Sequence, residues 1–118
     1  MSANFDLEDF IPYRLFVASE VASQSFREIY QREYQISRTE WRVLAHLGQY
    51  GDQTATEIGQ RAHLHKTKIS RAVFSLERRR WLSRKTNELD RRIQTLSLTK
   101  SGRLKYETLG QLGTQLNE

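Results

Sequence analysis

The stretch TATEIGQRAHLHKTKISRAVFSLERRRWL, residues 54–82, decides the fold of this chain. Thr54-Ala55-Thr56-Glu57 is a capping box, a hydroxyl residue with Glu three positions on. It predicts a short helix with Ile58 and Ala62 turned inward and Leu64 in the turn that follows. A second helix is expected from Lys66 to Arg80. Helical spacing puts Ile69, Ala72, Val73 and Leu76 on one face, which Arg80 joins near the end with a stem that can snorkel. The opposite face holds Thr67, Ser70, Arg71, Phe74 and Arg78, with Lys66 and Lys68 at its flanks.

A buried seam behind hydroxyls, arginines and one aromatic suits the major groove of DNA. There Arg pairs with guanine, hydroxyls adapt, and apolar atoms touch thymine methyls. An ordinary solvated helix face is the bland account of the same residues. Two capped helices joined by a three-residue turn, the basic one second, favour a helix-turn-helix. Charge points the same way. Residues 54–102 carry twelve Lys and Arg against four acids, a net +8, while residues 1–53 sum to −3 and residues 103–118 to zero. The whole formal charge of +5 therefore comes from one segment, the electrostatic footprint of a polyanion binder.

Working outward, Trp81 and Leu82 leave the second helix for a hairpin. Leu82, Arg84 and Thr86 alternate with Ser83 and Lys85, and Leu96 and Leu98 with Thr95 and Ser97, which predicts two half-buried strands. Between them lies the polar loop Asn87-Glu88-Leu89-Asp90-Arg91-Arg92. Thr99 is placed to cap a last helix whose stripe is Leu104, Leu109, Leu112 and Leu116. That stripe is still running at the final residue, which predicts a truncated helix or a partner surface. Upstream, Ser37-Arg38-Thr39-Glu40 is another capping box, opening a helix with Trp41, Leu44, Ala45 and Leu47 on one face and Gly51 to end it. Before it, Pro12 begins a long helix through Tyr34 with Leu15, Ala18, Ala22, Phe26, Ile29 and Tyr30 as its stripe, widened by Phe16 and Val21. A helix this long overhangs a small domain, so a subunit interface is favoured over intrachain core. Residues 1–9 are expected to be a loose start.

Taken in order, the Thr-x-x-Glu-Ile helix, Lys66-Thr67-Lys68-Ile69-Ser70-Arg71, Leu76-Glu77, Trp81-Leu82, Asp90-Arg91-Arg92 and Leu98-Thr99-Lys100-Ser101-Gly102 closely resemble the MarR family of winged helix-turn-helix transcriptional regulators. The resemblance covers about residues 10–112; the Asp-x-Arg loop followed by Leu-Thr-x-x-Gly is its most specific part. It implies a mainly α (α+β) fold, a winged helix-turn-helix with a two- to three-stranded wing and long terminal dimerisation helices. The expected division is a single domain over 1–118, with 35–102 as the DNA-binding part and 10–34 and 103–118 as the dimerisation helices. A homodimer on a near-palindromic double-stranded operator is implied, most simply as a repressor. Its second motif helix would lie in the major groove. Arg92 would enter the minor groove from a wing that Asp90 holds in shape. The DNA-binding candidates are Lys66, Thr67, Lys68, Ser70, Arg71, Phe74, Arg78, Arg84, Lys85, Asp90, Arg91 and Arg92. Many relatives bind small phenolic or aromatic acids near the junction of the two parts. Tyr13, Arg14, Trp41, Arg42 and His46 have suitable chemistry there, but core packing and ion pairs explain them equally. The chain departs from the family pattern at Arg80-Trp81, where a glycine is usual, and against that pattern residues 1–118 are expected to lack the final dimerisation helix.

Other classes fit less well. The absence of cysteine removes disulfides, thiolate metal sites and thiol redox sensing. His63-x-His65 has no carboxylate or thiol at a matching spacing, so no metal and no cofactor are expected. There is no Gly-rich phosphate loop and no nucleophile arrangement, which argues against an enzyme. No basic start leads into a long apolar run, so a cytoplasmic protein without a membrane span is the simplest expectation. The alternative is a winged-helix module that binds protein, which would not need the +8 segment.

Overall fold

Two reciprocal caps start the helices on which the core is built. Ser37 Oγ accepts from the Glu40 N–H at 3.1 Å while Glu40 Oε1 accepts from the Ser37 N–H at 3.0 Å. Thr54 and Glu57 repeat the arrangement at 3.1 and 2.9 Å. The computed structural model describes residues 5–117, with side-chain surroundings for 5–115. Its helices are α1 (Ile11–Tyr34), α2 (Arg38–Tyr50), α3 (Ala55–Ala62), α4 (Lys66–Arg78) and α5 (Lys100–Asn117). The strands are β1 (Gln53–Thr54), β2 (Leu82–Thr86) and β3 (Gln94–Leu98), in one antiparallel sheet of order β1-β3-β2. Leu82 faces Leu98 and Arg84 faces Leu96 across the hairpin, and Gln53 of β1 pairs with Leu96 from the other side.

Apolar faces from every helix converge on one core. Val43, Leu44 and Leu47 of α2, Ile58 of α3, and Ile69, Val73 and Leu76 of α4 are buried together with Leu82, Leu96 and Leu109. Burying such side chains stabilises the fold by about 1.5–3 kcal/mol each. Gly51 ends α2 at φ +84°, ψ −167°, a combination nearly closed to residues with a side chain.

The structure corrects the sequence expectations at five places. Residues 7–9 are not loose: they form a 3-10 turn capped by Asp6, whereas residues 1–4 lie outside the described residues. The α1 stripe divides. Phe26, Ile29, Tyr30 and Tyr34 pack on the core, while Ile11, Leu15, Phe16, Val17 and Val21 are exposed, and the molecule reaches 64 Å in its longest dimension. The second motif helix stops at Arg78 rather than Arg80, and Arg80 is exposed instead of sharing the buried side. β2 is not half-buried, because only Leu82 is covered and its other four residues are exposed on both faces. Leu104 is exposed, so the core contact of α5 comes from Leu109 with Leu112 beside it; the Leu116 side chain lies outside the described residues.

The early stop of α4 has a visible cause. The Trp81 N–H donates to Leu76 O at 3.0 Å and the Arg80 N–H to Glu77 O at 2.9 Å, a Schellman closure with Arg80 left-handed at φ +63°. A residue with a Cβ is strained there by about 1–2 kcal/mol. At Gly102 the constraint is space: a Cβ there would overlap the Trp81 carbonyl. Arg80 and Gly102 should therefore respond oppositely to exchange with a residue that gains or loses a Cβ, as read in denaturant unfolding. Arg80→Gly is expected to be neutral or to stabilise by up to about 1 kcal/mol. Gly102→Ala should destabilise by about 1–3 kcal/mol as α5 is pushed off the Trp81 backbone. Equal effects of the two would contradict this account of the junction.

Candidate nucleic-acid interface

The α3–α4 pair is joined by His63, Leu64 and His65. His63 ends α3 in a left-handed conformation, and Leu64 packs on the core. His65 starts α4, its Nδ1 accepting from the Thr67 N–H at 3.2 Å. The two histidines thus do the work of caps, and among the described residues no three His, Cys, Asp or Glu side chains gather as a metal site would require. In α4, Ile69, Ala72, Val73 and Leu76 are buried, and Ser75 and Glu77 are half-buried beside them. Lys66, Thr67, Lys68, Ser70, Arg71, Phe74 and Arg78 are all exposed on it, and the Arg78 guanidinium lies 5.8 Å from the Phe74 ring centre. The structure brings these seven together on one helix surface, as the periodicity expects.

The wing candidates divide into exposed and engaged groups. Lys85, Arg91 and Arg92 are exposed. The loop that carries the arginines is closed by short-range bonds. Asn87 Oδ1 accepts from the Leu89 and Asp90 N–H groups at 2.8 and 3.1 Å, and the Asn87 N–H donates to Ile93 O at 2.9 Å. Asp90 Oδ1 accepts from both the backbone N–H and Nε of Arg92 at 3.0 Å, and Oδ2 accepts from Arg92 Nη2 at 3.0 Å. The Arg92 side-chain bonds hold the Asp90 carboxyl below its ordinary value of 3.8, with the backbone bond adding to the effect. The brace is therefore intact above the usual carboxylate range and loosens only as pH falls through that lowered pKa. Arg84 is engaged instead with Glu77 and Gln94.

Sequence reasoning missed Arg79. It caps the end of α4, and its Nη1 and Nη2 donate to Tyr34 O and Gln35 O at 2.6 Å each, with the guanidinium 5.0 Å from the Trp81 ring centre. One of three consecutive arginines is thereby spent on structure, which no sequence signal separates from its neighbours. Glu40 has a second role as well, accepting from Ser75 Oγ at 2.8 Å and tying α2 to α4. Of the aromatic and basic groups near the helical junction, Arg14 is exposed and Tyr13 is half-buried, while Trp41, Arg42 and His46 are half-buried and make contacts within the chain. Trp41 packs edge-on against Phe26 at 5.3 Å, Arg42 donates to Ala62 O, and His46 Nδ1 lies 2.7 Å from Arg42 O. Among the described residues no helix is long and apolar enough to cross a membrane.

Comparison with known proteins agrees with this geometry. No curated protein matches the sequence. Solved structures match the fold over nearly the whole chain. A MarR family transcriptional regulator from Silicibacter pomeroyi has a TM-score of 0.83 at 22% identity, covering 98% of this chain and 77% of that one. Another, from Silicibacter pomeroyi DSS-3, gives 0.82 at 24% identity over 97% and 80% of the two chains. MepR, a transcription regulator of the Staphylococcus aureus multidrug efflux pump MepA, gives 0.79 at 17% identity over 92% and 79%. The sequence model described as the MarR family matches residues 34–93, from the end of α1 through the wing loop. The chain belongs to the MarR family of winged helix transcriptional regulators.

Proposed function

We propose that the chain acts as a homodimer that binds a near-palindromic duplex operator and represses transcription from it. The observation that carries this reading is the continuous exposed face of Lys66, Thr67, Lys68, Ser70, Arg71, Phe74 and Arg78, with the braced Arg92 loop on the same winged unit. In this reading α4 enters the major groove. Thr67, Ser70, Arg71 and Phe74 meet base edges, while Lys66, Lys68 and Arg78 approach phosphates. Lys85 and Arg91 add phosphate contacts, and Arg92, held by Asp90, reaches the minor groove. Two copies would place their recognition helices roughly 34 Å apart, one duplex turn. The exposed half of α1, with Leu15, Phe16 and Val21, is the apolar surface a second copy would cover. A small aromatic or phenolic effector that releases DNA belongs to the same reading through the family resemblance alone.

Filter binding with duplex DNA over a salt series tests the core of the proposal. Affinity should fall steeply with salt as Lys and Arg displace counterions from phosphates. Salt-independent affinity, or no binding at low salt, would favour the protein-binding alternative. Sedimentation tests the dimer: Phe16→Glu would place a carboxylate in the covered seam, and the variant should sediment as a monomer and lose affinity. A dimeric, fully active Phe16→Glu variant would put the interface elsewhere.

Selection from a random duplex pool separates helix from wing. Arg71→Ala should cost about 1–3 kcal/mol on the preferred site and relax base choice there. Arg92→Ala should lower affinity and blunt an A·T preference in the flanks, since the narrow minor groove attracts a guanidinium but offers a degenerate pattern. Asp90→Ala should behave as a weaker Arg92→Ala. If Arg92→Ala altered the central motif and Arg71→Ala only the flanks, the groove assignments would be reversed.

A further inference from the structure

Sequence reasoning places Arg84 on the DNA, but two of its three guanidinium nitrogens are already bonded within the chain. Nε donates to Glu77 Oε1 at 3.1 Å, and Nη1 donates to Gln94 Oε1 at 2.8 Å. Glu77 lies in the last turn of α4, and Gln94 is the first residue of β3. One side chain of β2 thus joins the end of α4 to the other strand of the wing. The register sets Arg84 opposite Leu96, which is buried, so its stem leaves from the inner face of the sheet. Glu77 by itself is poorly placed for its helix, because a carboxylate near a C-terminus opposes the macrodipole. A cation supplied from the wing offsets that disadvantage.

We propose that Arg84 is a positioning residue: through Glu77 and Gln94 it fixes the angle of the wing on α4, so that helix and wing loop meet adjacent grooves of one duplex together. The inference rests on the DNA-binding reading above.

Glu77→Ala is the discriminating variant. It removes a negative charge from a DNA-facing unit and an acid from a helix C-terminus. On electrostatics and helix stability alone it should bind duplex more tightly. As the anchor of Arg84 it should instead bind about three- to tenfold more weakly, and Arg84→Met should lose a similar factor. Combining the two should add little further loss, and Arg92→Ala should cost less in the Arg84→Met background than in the wild type. In the free protein, amide exchange should quicken along β2 and β3 in both variants and stay unchanged in α2. Tighter binding by Glu77→Ala, or additive losses in the double variant, overturns the positioning role. A wild-type chain that binds no duplex overturns the DNA reading itself. The exchange measurement then decides separately whether the pair holds the wing, with unchanged wing exchange refuting that as well.

Discussion

Trp81 is where the structure is tied together. Its N–H closes α4 onto Leu76, and its carbonyl accepts from the Thr99 N–H at 3.1 Å. Its ring meets Tyr34 of α1 edge-on at 6.2 Å, with Arg79 and Lys105 each within 6 Å of the ring centre. Thr99 Oγ1 donates to Arg80 O at 2.6 Å and accepts from the Gly102 N–H at 3.0 Å, so the start of α5 is built against the Arg80-Trp81 backbone. The end of α4, the root of the wing, the beginning of α5 and the end of α1 are thus located by one indole and its peptide groups. Moving Trp81 would displace the exposed face of α4 and the wing loop relative to each other.

The parts of this fold that are local in cause were legible in the sequence. Both capping boxes form as their spacing requires, and the buried seam of α4 is the one its periodicity selects. The parts that depend on distant contacts were not. Nothing within residues 78–80 distinguishes an arginine facing solvent from one that donates to carbonyls some 45 positions earlier in the chain. β2 carries the alternation of a half-buried strand, yet the sheet edge it occupies is covered only at Leu82. β1 is two residues long and merges into the capping box of α3, too short for any period to show. Val43 is fully buried although the stripe marked by Trp41, Leu44, Ala45 and Leu47 runs to one side of it.

The candidate site shows the same division. Exposure of the α4 residues follows from helix geometry alone. The state of the wing residues depends on pairing: Arg92 is oriented by Asp90 two positions away, a relation visible in the motif, whereas Arg84 finds Glu77 across a turn whose shape the sequence conceals. A basic residue count therefore overstates the freely presented charge. Arg79 and Arg84 contribute to the field of the module while two guanidinium nitrogens of each are engaged with carbonyl, carboxylate or amide oxygens.

The grip of Arg79 on the last carbonyls of α1 has a mechanical consequence. A helix of 24 residues is a stiff rod about 36 Å long. Packed on the core from Phe26 onward, gripped by Arg79 at Tyr34 and Gln35, and free of the core over its first half, it projects as a lever arm from the body of the fold. Moving the free end sideways by about 3 Å would turn the held end by only about 5°, on the scale of the small helix shifts that packed proteins accommodate. Because one planar guanidinium bonds both oxygens, the end of α4 is in direct contact with the held end of that rod.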